Sequence, residues 1–224
     1  MTQKILIFGF PHCGSSILKS IFGHIEEVEE IVLECMRIEK KTNKKFAVCK
    51  FPFTYDHFFS DKYKDYIKIF IIRNPLFVFS SLNKRFNYKI PDDHCFDRYV
   101  YTLHLFCKNK NTENVYTIRY EDLFENDYHN LKKIINNIGI KYDDIIFDNT
   151  KYTNLINENI KVPKKKPKNI EHNEYRTWQI NQTFVSKNDI SKIDLSEIQK
   201  EQIINNHYVL QFYPDIKSFK CPKV

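Results

Sequence analysis

The sequence predicts an α/β protein with three layers, in which helices flank a parallel β-sheet. Short apolar runs rich in Ile, Val and Phe alternate along the chain with segments of helical periodicity, and this alternation is typical of parallel sheets. Two of the runs lead into a helix through a short polar loop. A chain of 224 residues is short enough for one core, so we expect a single domain over residues 1–224.

Four strands and four helices follow in order along the first 140 residues. The strands are apolar runs over residues 3–9, 46–51, 67–72 and 115–118. The first helix starts at Ser15, and the hydroxyl of Ser15 or Ser16 is expected to cap it. Proline at an early helical position predicts a second helix from Pro75. A third helix is expected over residues 92–109, and the fourth ends at Gly139.

The C-terminal third of the chain is less regular. We expect residues 141–175 to form a mobile basic connection that contains the run KVPKKKPK from Lys161 to Lys168. This run is either a solvated segment, a basic lid over an anionic ligand, or a localisation signal. Residues 176–224 are predicted to form a helical tail, with one helix from Ser196 to Phe212.

Composition narrows the class of protein. Aromatic residues make up 15% of the chain, which excludes a disordered protein. No stretch reaches the ~18–20 apolar residues of a membrane span, and the N-terminus does not read as a secretory signal, so we expect a cytoplasmic protein.

The six cysteines show no framework spacing, which predicts reduced thiols. The net charge of +7 favours an anionic partner, and nucleic acid is not the expected one.

The strongest local signal is the loop FPHCGSS over residues 10–16, between the first strand and the first helix. Two of the four glycines in the chain, Gly9 and Gly14, bracket this loop. Such a loop points backbone N–H groups and a helix N-terminus at a bound phosphate. The spacing matches the GxxxxG of a P-loop and predicts a P-loop-like nucleotide-binding architecture, but Ser15 stands in place of the P-loop lysine. The alternative is a tight turn that binds no ligand.

The third strand ends in the segment Arg73-Asn74-Pro75, and Ser81 follows two helical turns later. Arginine offers a charged, bidentate fork for phosphate, and α/β sheets bind ligands at the carboxyl ends of their strands. A nucleotide kinase would need an acidic residue here to hold magnesium, so we expect an anion site and no metal. By itself Arg73 could equally be a surface residue or an ion-pair partner. With the loop, it predicts a nucleotide that carries phosphates at two separate positions.

These motifs resemble those of the sulfotransferases that use 3′-phosphoadenosine 5′-phosphosulfate (PAPS). The loop over residues 10–16 is similar to the 5′-phosphosulfate loop of that family, and Arg73-Asn74-Pro75 with Ser81 is similar to its 3′-phosphate element. The segment VYTIRYEDL over residues 115–123 resembles the family's strand followed by RYEDL. The three motifs occur in the family's order, and the resemblance covers residues 3–140.

The resemblance implies a set of residues that bind PAPS, together with two catalytic residues. The implied PAPS-binding residues are Pro11, His12, Cys13, Gly14, Ser15, Ser16, Arg73 and Ser81. Lys50 falls where family members carry a lysine that contacts the transferring group, although it could also be a solvated lysine at a strand end. His12 stands where the family has Lys or Arg, and its alternative role is to fix the turn through hydrogen bonds. No metal is implied.

The general base is not fixed by the resemblance. The family commonly uses His or Glu, but its KxH arrangement would need histidine at Pro52. The candidates are therefore Glu34, His57 and His94. A nucleophilic Cys13 is conceivable, because a helix N-terminus acidifies a thiol, but packing within the loop is the simpler account.

The sequence thus predicts a PAPS-dependent sulfotransferase that acts on an acceptor hydroxyl or amine, with carbohydrates among the possible acceptors. Two alternatives stay open. One is a P-loop-type nucleotide kinase, which would require ATP with magnesium. The other is a non-catalytic protein that binds a nucleotide or a polyanion.

Overall fold

The computed structural model describes residues 2–86, 93–147 and 188–219. Only residues 141–147 of the predicted basic connection fall within these ranges. The lysine-rich run Lys161–Lys168 and residues 176–187 of the predicted tail lie outside the described residues, as does the side chain of His94.

Five strands of the described chain form one parallel sheet in the order β2-β3-β1-β4-β5. Their bounds are β1 Gln3–Gly9, β2 Val28–Glu30, β3 Phe46–Phe51, β4 Tyr66–Ile72 and β5 Val115–Arg119. The predicted fold class and its four strands are confirmed, with ends that shift by one residue. Strand β2 was not predicted, because its sequence Val-Glu-Glu has one apolar residue and pairs with β3 at only three positions.

Six α-helices accompany the sheet in the described residues. Their bounds are α1 Ser15–Gly23, α2 Pro75–Phe86, α3 Asp93–Asn109, α4 His129–Ile138, α5 Glu197–Ile204 and α6 His207–Phe212. Pro75 begins α2, and Gly139 ends α4 in the left-handed conformation with φ of 79°, both as predicted.

The single helix predicted over Ser196–Phe212 is wrong, because two shorter helices occupy that range. The side chain of Asn206 accepts hydrogen bonds from the N–H groups of Tyr208 and Val209 at 3.0 and 3.2 Å. This cap starts α6 and separates it from α5. Ser196 caps α5 with a capping box that includes Gln199.

Residues on β3 alternate between the two faces of the sheet, and this alternation separates the helices. Lys50 contacts Ser16 of α1 on one face. Its neighbour Phe51 points to the other face, where its ring packs against Phe58. On that second face Phe70 of β4 packs against Phe106 of α3. Helices α1 and α3 therefore lie on opposite faces, and the carboxyl ends of β1, β3 and β4 form the edge between them.

Among the residues that the structure describes, no helix has the length and apolar character that crossing a bilayer requires.

Candidate functional site

The loop between β1 and α1 approaches its neighbours too closely for a larger residue at either glycine. A Cβ built on Gly9 would lie 2.1 Å from the carbonyl oxygen of Ile71 on β4. A Cβ built on Gly14 would lie 2.4 Å from Cδ2 of the Tyr120 ring, and Gly14 has a φ of +95°. Local geometry therefore requires both glycines, as expected of a loop that turns tightly into a helix.

Helix α1 begins where this loop ends, and its N-terminus has the features of an anion site. Gly14 occupies the N-cap position, and no side chain caps the helix. The prediction that Ser15 or Ser16 is the cap is wrong, because these serines are already the first two helical residues. The first N–H groups of a helix have no carbonyl within the helix to bond, and the helix dipole is positive at this end.

Lys50, at the end of β3, lies beside this helix N-terminus. Only 2% of its side chain is exposed, so it is not a solvated lysine. Its Nζ donates a hydrogen bond to Oγ of Ser16 at 2.7 Å and forms an ion pair with the Glu34 carboxylate at 2.9 Å. The structure thus places a buried cation in direct contact with the predicted phosphate loop.

Of the three predicted candidates for a general base, the structure brings Glu34 to this cation. Glu34 lies in the irregular segment after β2, and 27% of its side chain is exposed. His57 is exposed and stacks on the ring of Tyr55, with 5.2 Å between ring centroids. The side chain of His94 is outside the described residues.

Arg73 follows β4 directly, and only 7% of it is exposed. Its guanidinium lies 4.2 Å from the centroid of the Tyr120 ring. Nε and Nη2 both donate to Oδ1 of Asn188, at 3.3 and 3.1 Å, and Nη1 donates to the carbonyl oxygen of His12 at 3.2 Å. The arginine fork is therefore held between the predicted phosphate loop and Asn188 of the C-terminal segment.

His12 connects the predicted phosphate loop to α2. Its backbone has a φ of +66°, and Nδ1 lies 2.6 Å from Oγ of Ser81. Which of these two atoms donates depends on the protonation of the imidazole. With its carbonyl bonded to Arg73, His12 contacts both residues of the predicted 3′-phosphate element.

Tyr120, the residue after β5, contacts both Gly14 in the loop over residues 10–16 and Arg73 in the predicted 3′-phosphate element. Its ring is 1% exposed, touches Gly14 on one side and lies under the Arg73 guanidinium. The two predicted anion sites are therefore adjacent at the carboxyl edge of the sheet. Apart from its place in RYEDL, nothing in the sequence indicated a role for Tyr120, and no motif indicated one for Asn188.

Cys13 is fully buried within the loop, and its N–H donates to the carbonyl oxygen of Phe10 at 3.3 Å. Burial raises the pKa of its thiol well above the ordinary value, and the nearby Arg73 offsets this only in part. A thiolate is therefore disfavoured at neutral pH, and the geometry argues against the nucleophilic role for Cys13.

The two acidic residues of the RYEDL segment bond to neighbouring groups, Glu121 to a backbone N–H and Asp122 to an arginine side chain. Oε1 of Glu121 accepts a hydrogen bond from the N–H of Asn74 at 2.7 Å, and burial raises the pKa of this carboxyl. Asp122 forms an ion pair with Arg119 at 2.6 Å. Within the described ranges, no three His, Cys, Asp or Glu side chains gather in a metal-binding arrangement.

Comparison with known proteins finds similarity in structure but not in sequence. No family model matches the chain, and no curated protein matches it. A crystal structure of mouse sulfotransferase SULT7A1 complexed with PAP is similar, with a TM-score of 0.59 and 16% sequence identity. The similarity covers 97% of this chain and 89% of that chain. At this level of identity, the likeness establishes a shared fold.

Proposed function

We propose that this protein is a sulfotransferase that moves a sulfuryl group from PAPS to an acceptor hydroxyl or amine. The observation that carries the proposal is that the two predicted anion sites, at Gly14 and at Arg73, are adjacent: Tyr120 contacts both, and His12 of the loop contacts Arg73 and Ser81. PAPS carries anionic groups at its 5′ and 3′ positions and therefore needs two such sites. The fold shared with a sulfotransferase in complex with PAP supports the same assignment.

The two sites differ in the donors that they offer. At the 5′ end, the loop supplies backbone N–H groups, the dipole of α1 and the hydroxyls of Ser15 and Ser16. At the 3′ end, Arg73 and Ser81 supply a guanidinium and a hydroxyl. Asn188 now accepts two N–H groups of that guanidinium through a neutral oxygen. A phosphate is the stronger acceptor for arginine, so we expect it to replace the amide.

The reaction requires in-line attack of the acceptor oxygen or nitrogen on sulfur, with cleavage of the bond between sulfur and the 5′-phosphate oxygen. Negative charge grows on that leaving oxygen, and a nearby fixed cation stabilises it. Lys50 fits this role because its ammonium touches Ser16 in the loop. Glu34 fits the role of general base, because its carboxylate is held at Lys50 and can take the acceptor's proton.

The first test is a thermal melt with 3′,5′-ADP (PAP), the product that PAPS leaves behind. We expect this ligand to raise the melting temperature in the presence of EDTA, by a stabilisation of ~2.7 kcal/mol at a hundredfold excess over its Kd. A shift with Mg-ATP alone would contradict the proposal and favour a kinase. Transfer is then measured with radiolabelled PAPS and a panel of hydroxyl and amine acceptors. Binding of 3′,5′-ADP with no transfer to any acceptor would favour a non-catalytic binding protein.

The second test is Arg73→Ala, which should weaken 3′,5′-ADP far more than 5′-AMP. Hydrogen bonds to a charged group contribute ~1.5–3 kcal/mol, so we expect the Kd of 3′,5′-ADP to rise ~10–150-fold. Only that ligand carries the 3′-phosphate, so the affinity for 5′-AMP should change little. Calorimetric titration of both ligands gives the comparison. The Arg73→Lys variant measures how much affinity the bidentate guanidinium contributes beyond its positive charge. Equal losses for the two ligands would remove Arg73 from the 3′-phosphate site.

A further inference from the structure

Helix α1 carries an ammonium group that is buried and fully paired. Nζ of Lys19 donates to the carbonyl oxygens of Ile31 and Val32 at 3.0 and 3.1 Å, and it forms an ion pair with Glu30 at 2.8 Å. The side chain is 1% exposed. An ammonium has three N–H groups, and each has an acceptor here. A charge this deeply buried requires such partners. These three contacts of Lys19 therefore hold residues 30–32 against α1.

The same face of α1 also contacts Lys50. Ser16, Lys19 and Gly23 are spaced by three and four residues, which places them on one helix face. Ser16 bonds to Lys50. A Cβ on Gly23 would lie 2.4 Å from a carboxylate oxygen of Glu30, so the absence of a side chain lets this carboxylate reach Lys19. The same face of α1 therefore contacts Lys50 and also binds residues 30–32.

The residues that follow this contact with α1 lead to Glu34. The N–H of Ile31 donates to the carbonyl oxygen of Val48 at 2.9 Å, and the N–H of Cys35 donates to that of Lys50 at 3.2 Å. Residues 31–35 thus run beside β3 without helix or strand structure of their own. Glu34 lies two residues beyond the last carbonyl that Lys19 holds.

We propose that Lys19 is a positioning residue for sulfuryl transfer. It fixes the segment over residues 30–35 against α1, so that the carboxylate of Glu34 stands at a set position relative to the helix N-terminus that binds the donor. The inference rests on the proposed function, in which Glu34 takes the acceptor's proton. Attack in line with the leaving group depends on such alignment, and a displacement of ~1 Å can lower the rate ~100-fold.

The test compares Lys19→Met with a matched variant, Lys68→Met. Lys68 is also a buried lysine, 4% exposed, but its Nζ bonds to the carbonyl oxygen of Tyr66 on β4. We expect Lys19→Met to lower kcat ~10–100-fold and to leave the Kd of 3′,5′-ADP unchanged. Lys68→Met should leave both quantities unchanged. Equal kcat values in the two variants, or equal losses of kcat and of 3′,5′-ADP affinity in Lys19→Met, would overturn the inference.

Hydrogen exchange gives a second readout that needs no activity. In Lys19→Met, the amides of residues 30–35 should exchange faster, and those of residues 10–16 should keep their wild-type rates. If Lys19→Met does not fold, Glu30→Gln is the substitute. It keeps the hydrogen bonds from Lys19 to the carbonyl oxygens of residues 31 and 32 and weakens only the ion pair, so it should give smaller increases in exchange over residues 30–35. Unchanged exchange over residues 30–35 would contradict the positioning role. A wild-type protein that transfers no sulfuryl group would instead contradict the proposed function, and the exchange experiment would still decide whether Lys19 anchors the segment.

Discussion

Replacing Lys50 with methionine should lower kcat for sulfuryl transfer by ~100–1,000-fold, the usual cost of losing one group that stabilises charge in the transition state. The affinity for 3′,5′-ADP should fall by a smaller factor than kcat, because this product keeps the oxygen that the ammonium stabilises but not the geometry of the transition state. An interaction that is stronger in the transition state than in the product complex reduces kcat more than product affinity when it is lost.

Radiolabelled transfer at saturating PAPS and titration of 3′,5′-ADP measure the two quantities for the Lys50→Met variant. A melt without ligand checks the fold, since the substitution leaves Glu34 without its ion-pair partner. The double variant with Glu34→Gln serves as the control for that loss. Because the two groups act on one reaction, we expect their effects to be less than additive. A fall in 3′,5′-ADP affinity as large as the fall in kcat would instead show that Lys50 binds the 5′-phosphate equally in the product complex and in the transition state.

The parts of the fold that could be predicted are those in which local sequence and burial agree. Strands buried on both faces are largely apolar runs; β1 is such a run after Gln3 and Lys4, and β4 is such a run interrupted only by Lys68. Pro75 and Gly139 mark a helix start and a helix end through their own backbone preferences. In contrast, β2 exists because β3 offers it an edge to pair with, and three residues carry too little pattern to show this.

The sequence indicates candidate site residues where a motif is contiguous, and it gives no indication of contacts that come from distant parts of the chain. The loop over residues 10–16 and Arg73 could be recognised locally. Asn188, which bonds to Arg73, lies 115 residues further along the chain, and no local pattern links the two.

The same limit applied to the choice among candidate bases. The sequence did not separate Glu34, His57 and His94, because the KxH arrangement would need histidine at Pro52 and none of the three lies in a recognised motif. Tertiary structure separates Glu34 from His57, since the segment after β2 returns along β3 and brings Glu34 to Lys50. The buried lysine that holds this segment, Lys19, lies in a helix whose apolar pattern gave no sign of it.

Replacing Glu34 with glutamine should lower kcat by ~100–10,000-fold, the range expected for removal of a general base, with little change in 3′,5′-ADP binding. Glutamine keeps the size of the side chain and an oxygen that can accept from Lys50, so the ion pair becomes a hydrogen bond from the ammonium to a neutral amide and the lysine keeps a partner. What the variant loses is the ability to take a proton from the acceptor.

A series of acceptors with increasingly acidic hydroxyl groups separates this role from a purely structural one. An acceptor that loses its proton easily depends less on a base, so the ratio of wild-type to Glu34→Gln kcat should shrink along the series. A ratio that stays constant across all acceptors would show that Glu34 acts only by holding Lys50, and the base would then have to be sought elsewhere in the chain.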